Sequence, residues 1–227
     1  KFKHFLGSTN GNKSTSIIKL FQQGDKSLIT LNRKGGILWI SESGHKLYQW
    51  NTLPSGISDF TANTGVQLND SQILFASYGR LYMLDLHSKG ISVLSGPAKA
   101  KQLEIGQLER LFNGKIIVSC FGDLMQEIIL EGNTYSLQPY GDLSKYSDNT
   151  TYFKIDQHNR LYISNDELSI LVFVPSSDGT SHVFERELNM TGGIRGLCED
   201  PQSNAVYISN SQGLFLINRE TWTFEQV

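Results

Sequence analysis

The sequence has little of what usually announces chemistry or a compartment. Only two of its 227 residues are cysteine, Cys120 and Cys198, too few for a disulfide framework or a four-cysteine zinc site. Both fall inside apolar runs, IIVSCF and IRGLCED, which predicts buried free thiols. The five histidines (His4, His45, His87, His158, His182) are scattered, with no HxH, HExxH or CxxC spacing, so no metal site is expected from motif. A GxSxG elbow, a phosphate-cradling P-loop and a dinucleotide fingerprint are also missing, and no cofactor is expected. Nor is one sign of charge in excess. Twenty Lys and Arg stand against 22 Asp and Glu, without the basic stripe that nucleic acid or an acidic membrane surface requires. No apolar run approaches the roughly 18 residues that cross a bilayer, so this segment should make no direct membrane contact. Five prolines beside 21 glycines, with 39% hydrophobic and 19% charged residues, describe an ordered, turn-rich globular chain. It opens at Lys1 without an apolar leader and reads as a mature or excised segment.

What the sequence does have is a repeat. NAVYISNSQGLFLINRETWTFEQV, at the end of the chain, consists of an apolar run, a glycine turn, a second apolar run, a polar turn and an alternating segment. Counterparts stand upstream: KSLITLNRKGGILWISESGHKLYQWN, SQILFASYGRLYMLDLHSKGISVLSG, GKIIVSCFGDLMQEIILEGNTYSLQP and NRLYISNDELSILVFVPSSDGTSHVFE. Anchored on the middle of each first run, at Ile29, Phe75, Val118, Tyr162 and Tyr207, they recur at intervals of 46, 43, 44 and 45 residues. Adding the apolar stretch before each anchor gives four strands, a to d, per copy. The b and c runs are nearly continuously apolar, as in strands covered on both faces, while d segments such as WTFEQV alternate. The turn glycines Gly36, Gly79, Gly122 and Gly213 fit tight antiparallel reversals; the fourth copy has Asn165 and Asp166 instead.

Four-stranded antiparallel blades of this length predict an all-β fold, a β-propeller with about five blades in this chain. The predicted boundaries are 16–51, 57–95, 100–139, 148–189 and 192–227. Residues 1–7, KFKHFLG, resemble the d strand of a preceding blade, so the array should be cut from a longer one.

The fifth copy, IRGLCEDPQSNAVYISNSQGLFLINRETWTFEQV, resembles the two-component regulator propeller repeat. The matching features are the a strand ending in Glu199 and Asp200, the b strand Tyr207-Ile208-Ser209, the Gly213-Leu214 turn, and Thr221 with Phe224. The fourth copy matches in part, through Asp156, LYIS and Leu168, and the first three diverge. The resemblance implies the periplasmic sensor region of a Bacteroides-type hybrid two-component histidine kinase. Such a region responds to an oligosaccharide, signals to a cytoplasmic kinase and is itself non-catalytic. Its partners would be neighbouring propeller or β-sandwich domains of the same chain and a second copy in a homodimer.

Ligands on propellers usually meet the loops that join b to c and d to the next a. Here those loops carry Arg33, Lys34, Tyr78, Arg80, Phe121, Asp123, Tyr140, Tyr146, Asn165, Asp166 and Arg195. Of these, Arg33, Tyr78, Arg80, Phe121, Asp123, Asp166 and Arg195 are the predicted ligand contacts. Aromatic faces offer platforms for sugar C–H groups, and Arg and Asp partner hydroxyls or uronates. Trp39, Trp50 and Trp222 sit in or beside strands and read as blade core and rim. Two other functions stay open at this stage. A propeller hydrolase or lactonase would hold an axial metal, with Glu104, Asp156, Glu199 and Asp200 as formal ligands, although Asp156 and Asp200 sit where turn carboxylates satisfy backbone amides. A protein-interaction scaffold would expose an apolar patch.

Overall fold

The computed structural model describes residues 17–97, 104–121, 125–141, 143, 152–165, 168–200, 203 and 205–227. The d strand predicted for residues 1–7 and the turn glycine Gly122 lie outside them. The described residues form five sheets and no α-helix. The first sheet is β1 (Ile17–Gln22), β2 (Leu28–Asn32), β3 (Ile37–Ile40) and β4 (Lys46–Trp50), and the second is β5 (Thr64–Asn69), β6 (Gln72–Ser77), β7 (Arg80–Asp85) and β8 (Gly90–Val93). The third is β9 (Glu104–Arg110), β10 (Ile116–Phe121), β11 (Gln126–Glu131) and β12 (Thr134–Pro139). The fourth is β13 (Phe153–Ile155), β14 (Leu161–Asn165), β15 (Ser169–Pro175) and β16 (His182–Asn189), and the fifth is β17 (Ile194–Asp200), β18 (Ala205–Asn210), β19 (Gly213–Asn218) and β20 (Thr223–Gln226). Each sheet is an antiparallel meander in chain order, which makes the fold all-β, with five four-stranded blades of a β-propeller.

The chain divides into two compact units. The first, ending at Leu94, holds two blades, and the second, from Ser95, holds three. Within the first unit the a strands β1 and β5 are neighbours; within the second, β13 neighbours both β9 and β17. Inner strands that approach one another in this way are what face-to-face blades produce.

Period-2 alternation explains why the b and c runs are continuously apolar. In the fourth blade, Leu161, Ile163, Leu171 and Phe173 join a core with Leu111, Ile117, Tyr140 and Phe153 on the third-blade side. Tyr162, Ile170 and Val172, from the same two strands, point the other way into a core with Val206, Ile208 and Ile217 of the fifth blade. Both faces of one sheet are therefore buried, and burying each large side chain contributes about 1.5–3 kcal/mol. In the first unit the corresponding core stacks Phe60, Phe75 and Tyr82 at centroid separations of 5.8 and 5.3 Å. The pattern weakens in the fifth blade, where β19 is mostly exposed or half-buried.

Two turns show why glycine is needed where it stands. The two-residue turn Tyr78-Gly79 has φ of 48° and 69° and is closed by the Ser77–Arg80 pair. Positive φ at both positions matches the right-handed twist of the flanking strands. Gly36, at φ 74°, donates its N–H to the Phe60 carbonyl, and a Cβ there would lie 1.9 Å from the Trp50 carbonyl oxygen. The a-to-b turns use a different device. Asp25, Asn69, Asn113 and Asp156 each accept the backbone N–H two residues on, at 2.9–3.1 Å, the Asx-turn bond that holds such reversals.

One cysteine expectation is corrected. Cys120 is buried, whereas Cys198 is exposed. A bulge between Ile194 and Gly196 shifts the register of β17 by one residue, and such a slip turns the residues after it to the other face.

Candidate functional site

In the first unit the predicted residues gather around one short link. Thr61 lies between the first and second blades, and its Oγ1 donates to the Arg33 carbonyl while its own carbonyl accepts from Ser77 Oγ at 2.6 Å. The adjoining backbone is fastened as well: Ala62 donates to the Asn32 carbonyl and Asn63 to the Ala76 carbonyl. The b-to-c turns of both blades are thereby held against the same segment. They present Arg33, Lys34 and Arg80, all exposed, and the Tyr78 ring, 56% exposed on a residue in the left-handed region. A bulky side chain at positive φ is uncommon and costs backbone energy. The result is three cations beside an open aromatic face.

In the second unit Arg195 occupies the β17 bulge and is exposed. Phe121 ends β10 opposite Glu104. Asp123, Asp166 and Tyr146 lie outside the described residues. Tyr140 is not a loop contact: it is 2% exposed, and its hydroxyl meets His182 Nδ1 at 2.7 Å. His182 Nε2 faces the Asn159 carbonyl at 2.7 Å. A carbonyl only accepts, so Nε2 carries the proton, and Nδ1 accepts from the tyrosine. Burial pushes the His182 pKa down and that of Tyr140 up, because each loses the water that would stabilise its charged form.

Asp156 is fully buried in the a-to-b turn of the fourth blade, the turn whose Asn159 faces His182 and which lies at the end away from the b-to-c turn. Its Oδ1 accepts the N–H groups of His158 and Arg160, both at 2.9 Å, and its Oδ2 accepts the Tyr162 hydroxyl at 3.0 Å. Arg219 Nη2, from the c-to-d turn of the fifth blade, stands 2.9 Å from the same Oδ2. Its hydrogens are not aligned for a hydrogen bond, so this contact is an ion pair by proximity. Burial, and next the Asp156 charge, push the Tyr162 pKa up to about 12. The carboxylate therefore has a structural task, as the turn position predicts. Of the other formal metal ligands, Glu199 accepts the Gln157 N–H at 2.7 Å and Asp200 accepts from Ser203 Oγ. Among the described residues no group of three His, Cys, Asp or Glu is placed to hold a metal ion.

The tryptophans divide as their strand positions imply. Trp50 is buried, stacks on Trp39 at 6.4 Å and donates to the Lys89 carbonyl. Trp222 is half-buried at φ 58°, with the Arg186 guanidinium 4.1 Å from its ring centroid and that of Arg160 5.6 Å away. Arg160, Arg186 and Arg219 were invisible as a group in the sequence, since 59 residues and five inter-strand connections separate the first from the last. The two ends of the repeat thus carry different chemistry: open, mostly cationic turns at the b-to-c end of the first unit, and a buried carboxylate ringed by arginines at the other end of the second.

No protein-family model and no curated protein sequence matches the chain. Solved structures do. The extracellular domain of BT4673 from B. thetaiotaomicron, assigned in one structure to a one-component and in another to a hybrid two-component system, is 14% identical in the first of these. That match has a TM-score of 0.67 and covers 93% of this chain and 30% of the other. The extracellular domain of the hybrid two-component system BT3049 from the same organism is 15% identical, with a TM-score of 0.56 over 86% of this chain and 25% of that one. A protein assigned as a 6-phosphogluconolactonase from Bacteroides uniformis is 13% identical, with a TM-score of 0.61 over 91% and 68%. The chain thus spans about a third or less of the two sensor extracellular domains. At these identities the likeness establishes the propeller fold.

Proposed function

We propose that this chain is a ligand-sensing propeller segment from the extracytoplasmic, periplasmic part of a hybrid two-component sensor histidine kinase. In this reading it binds an oligosaccharide and passes the event to a cytoplasmic kinase, with no catalysis of its own. The observation that carries it is the likeness to extracellular domains of hybrid two-component systems. The turn cluster of the first unit adds support, because an open tyrosine face beside Arg33 and Arg80 suits a sugar ring and its hydroxyls. In the second unit Arg195, Phe121, Asp123 and Asp166 are separate candidate contacts. Signalling requires the ligand to favour one of two arrangements of this segment with its partners, since equal affinity for both shifts nothing. Those partners are neighbouring propeller or β-sandwich domains of the same chain and a second copy of it.

A thermal-shift screen against oligosaccharides tests the reading. A true ligand at 100 times its Kd stabilises the fold by about 2.7 kcal/mol, and Tyr78→Ala should remove the shift without lowering the unliganded midpoint. A screen across neutral and acidic oligosaccharides that moves no midpoint would overturn it. The lactonase likeness favours a second reading, a propeller hydrolase, and hydrolysis of a sugar lactone by the purified chain would establish that reading instead.

A further inference from the structure

A groove of about 570 Å³ opens at the a-to-b and c-to-d end of the fourth and fifth blades, lined by His158, Arg160, Val174, Pro175, Arg219 and Glu220. It lies at the end of the blades opposite the b-to-c turns, because alternate turns of an antiparallel meander fall at opposite ends. Its size falls within the range of small-molecule sites. The charges around it are unevenly answered. Arg219 is set against Asp156, and Arg186 reaches Glu185 at 3.6 Å. Arg160 makes no ion pair among the described residues and rests on the Trp222 ring. Donors are left over as well. Arg186 Nε and Arg219 Nε, Nη1 and Nη2 are out of solvent contact without a hydrogen-bond acceptor. These are four of the six such side-chain atoms among the described residues. Buried donors of this kind call for acceptors. Asp156 cannot supply more, because its oxygens already take two backbone N–H groups and the Tyr162 hydroxyl.

The geometry points to an anion-binding groove between the fourth and fifth blades that takes a small molecule carrying an oxyanion on a compact body. Guanidinium groups match the paired oxygens of such a group and, unlike lysine, stay charged and stack on aromatic rings. The oxyanion lies against Arg160, which has no ion pair, and a small shift of the Arg219 side chain brings its unpartnered N–H groups to the same oxygens. Val174 and Pro175 form an apolar wall for the body. Glu220 limits affinity by like-charge repulsion at the rim. Asp156 holds Arg160 through its backbone and Arg219 through its charge, which makes it a positioning residue. The proposal does not rest on the sensor reading: binding in this groove with a silent oligosaccharide screen, or the reverse, separates the two.

Titration calorimetry of the intact chain with glucuronate, inorganic phosphate and glucose tests it. Glucuronate should bind saturably with a Kd of about 1 mM, as its size allows, and phosphate should compete. Glucose, which has the same ring without the carboxylate, should give no saturable heat. Arg160→Gln should weaken glucuronate binding about tenfold while lowering the thermal midpoint by no more than the loss of its contact with the Trp222 ring accounts for. Glu220→Gln should tighten binding about twofold or more. The proposal is overturned by the absence of saturation up to roughly 20 mM, or by equal binding of glucose. Heats that follow ionic strength alone, or that neither variant alters, also overturn it.

Discussion

Replacing Asp156 by asparagine is the sharpest test of how the second unit is held together. An asparagine whose amide oxygen takes the place of Oδ1 keeps both backbone bonds, from His158 and Arg160. Its NH2 then faces the Tyr162 hydroxyl and the Arg219 guanidinium, 3.0 and 2.9 Å from the replaced oxygen. The hydroxyl can turn and accept; the guanidinium has only donors. The substitution therefore removes one partner of a buried ion pair and leaves the other in place, a change that costs about 3–5 kcal/mol. With 16% of the Arg219 side chain exposed and Asp156 fully buried, the loss should lie at the lower end, about 3 kcal/mol. Against an m-value of about 1–3 kcal/mol/M, the urea midpoint should fall by about 1 M or more, read by near-ultraviolet circular dichroism. Arg219→Met in the Asp156→Asn background removes the stranded charge, so the double variant should be less damaged than the two single losses together imply. A midpoint shift below about 0.3 M for Asp156→Asn, or strictly additive losses, would refute the reasoning.

Three further outcomes follow from named contacts. Gly36→Ala forces a Cβ to 1.9 Å from the Trp50 carbonyl oxygen at φ 74°, and should lower the melting temperature far more than Gly132→Ala. At Gly132, φ is also positive, at 61°, but the added Cβ meets nothing within 4 Å, so the cost there is about 1 kcal/mol. Tyr140→Phe strips His182 Nδ1 of its donor, an unsatisfied buried acceptor worth about 1–3 kcal/mol, measurable by the same urea titration. Acidification acts through the same pair. The folded-state pKa of His182 is depressed by burial, against smaller opposing pulls from the hydrogen bond to the Asn159 carbonyl and then from the Asp156 charge. Its contribution is therefore full above the ordinary value of 6.5 and is lost as pH falls through the folded-state value. His182→Gln should flatten that limb of a stability-against-pH curve, and an unchanged slope below pH 6.5 would remove His182 as its source.

The architecture was legible because one constraint repeats. A strand sandwiched between two neighbours must be apolar on both faces, so IIVSCF, LYISN and SILVFVP show no alternation, and the interval between such runs fixes the blade. Turn chemistry was legible for the same local reason: a hairpin glycine or an Asx residue is determined by two or three bonds within its own turn. Contacts between blades were not. Nothing near Tyr140 in the chain signals that its hydroxyl is answered by His182, 42 residues on, and its neighbours read as a polar loop. For Cys198 an apolar run is not enough to settle burial, because the bulge at Arg195 decides which face the residues after it occupy.

The two ends of the blades differ in how readily they can change. At the b-to-c end of the first unit, Arg33, Tyr78 and Arg80 project from turns whose backbones are fixed by Thr61 and glycine, so their side chains can vary at little cost to the fold. At the other end of the second unit, the same carboxylate that anchors the turn also sets the positions of Arg160 and Arg219. Any ligand bound there acts on a group that already joins the fourth blade to the fifth. By the proposal, an oxyanion in the groove shares with Asp156 the same Arg219 guanidinium, the group that joins the fourth blade to the fifth. In the b-to-c turns of the first unit the shared group, Thr61, holds backbone and the Ser77 hydroxyl rather than the Arg33, Tyr78 or Arg80 side chains, so recognition there can be tuned residue by residue, whereas occupancy of the groove would be coupled to the packing of the blades that form it.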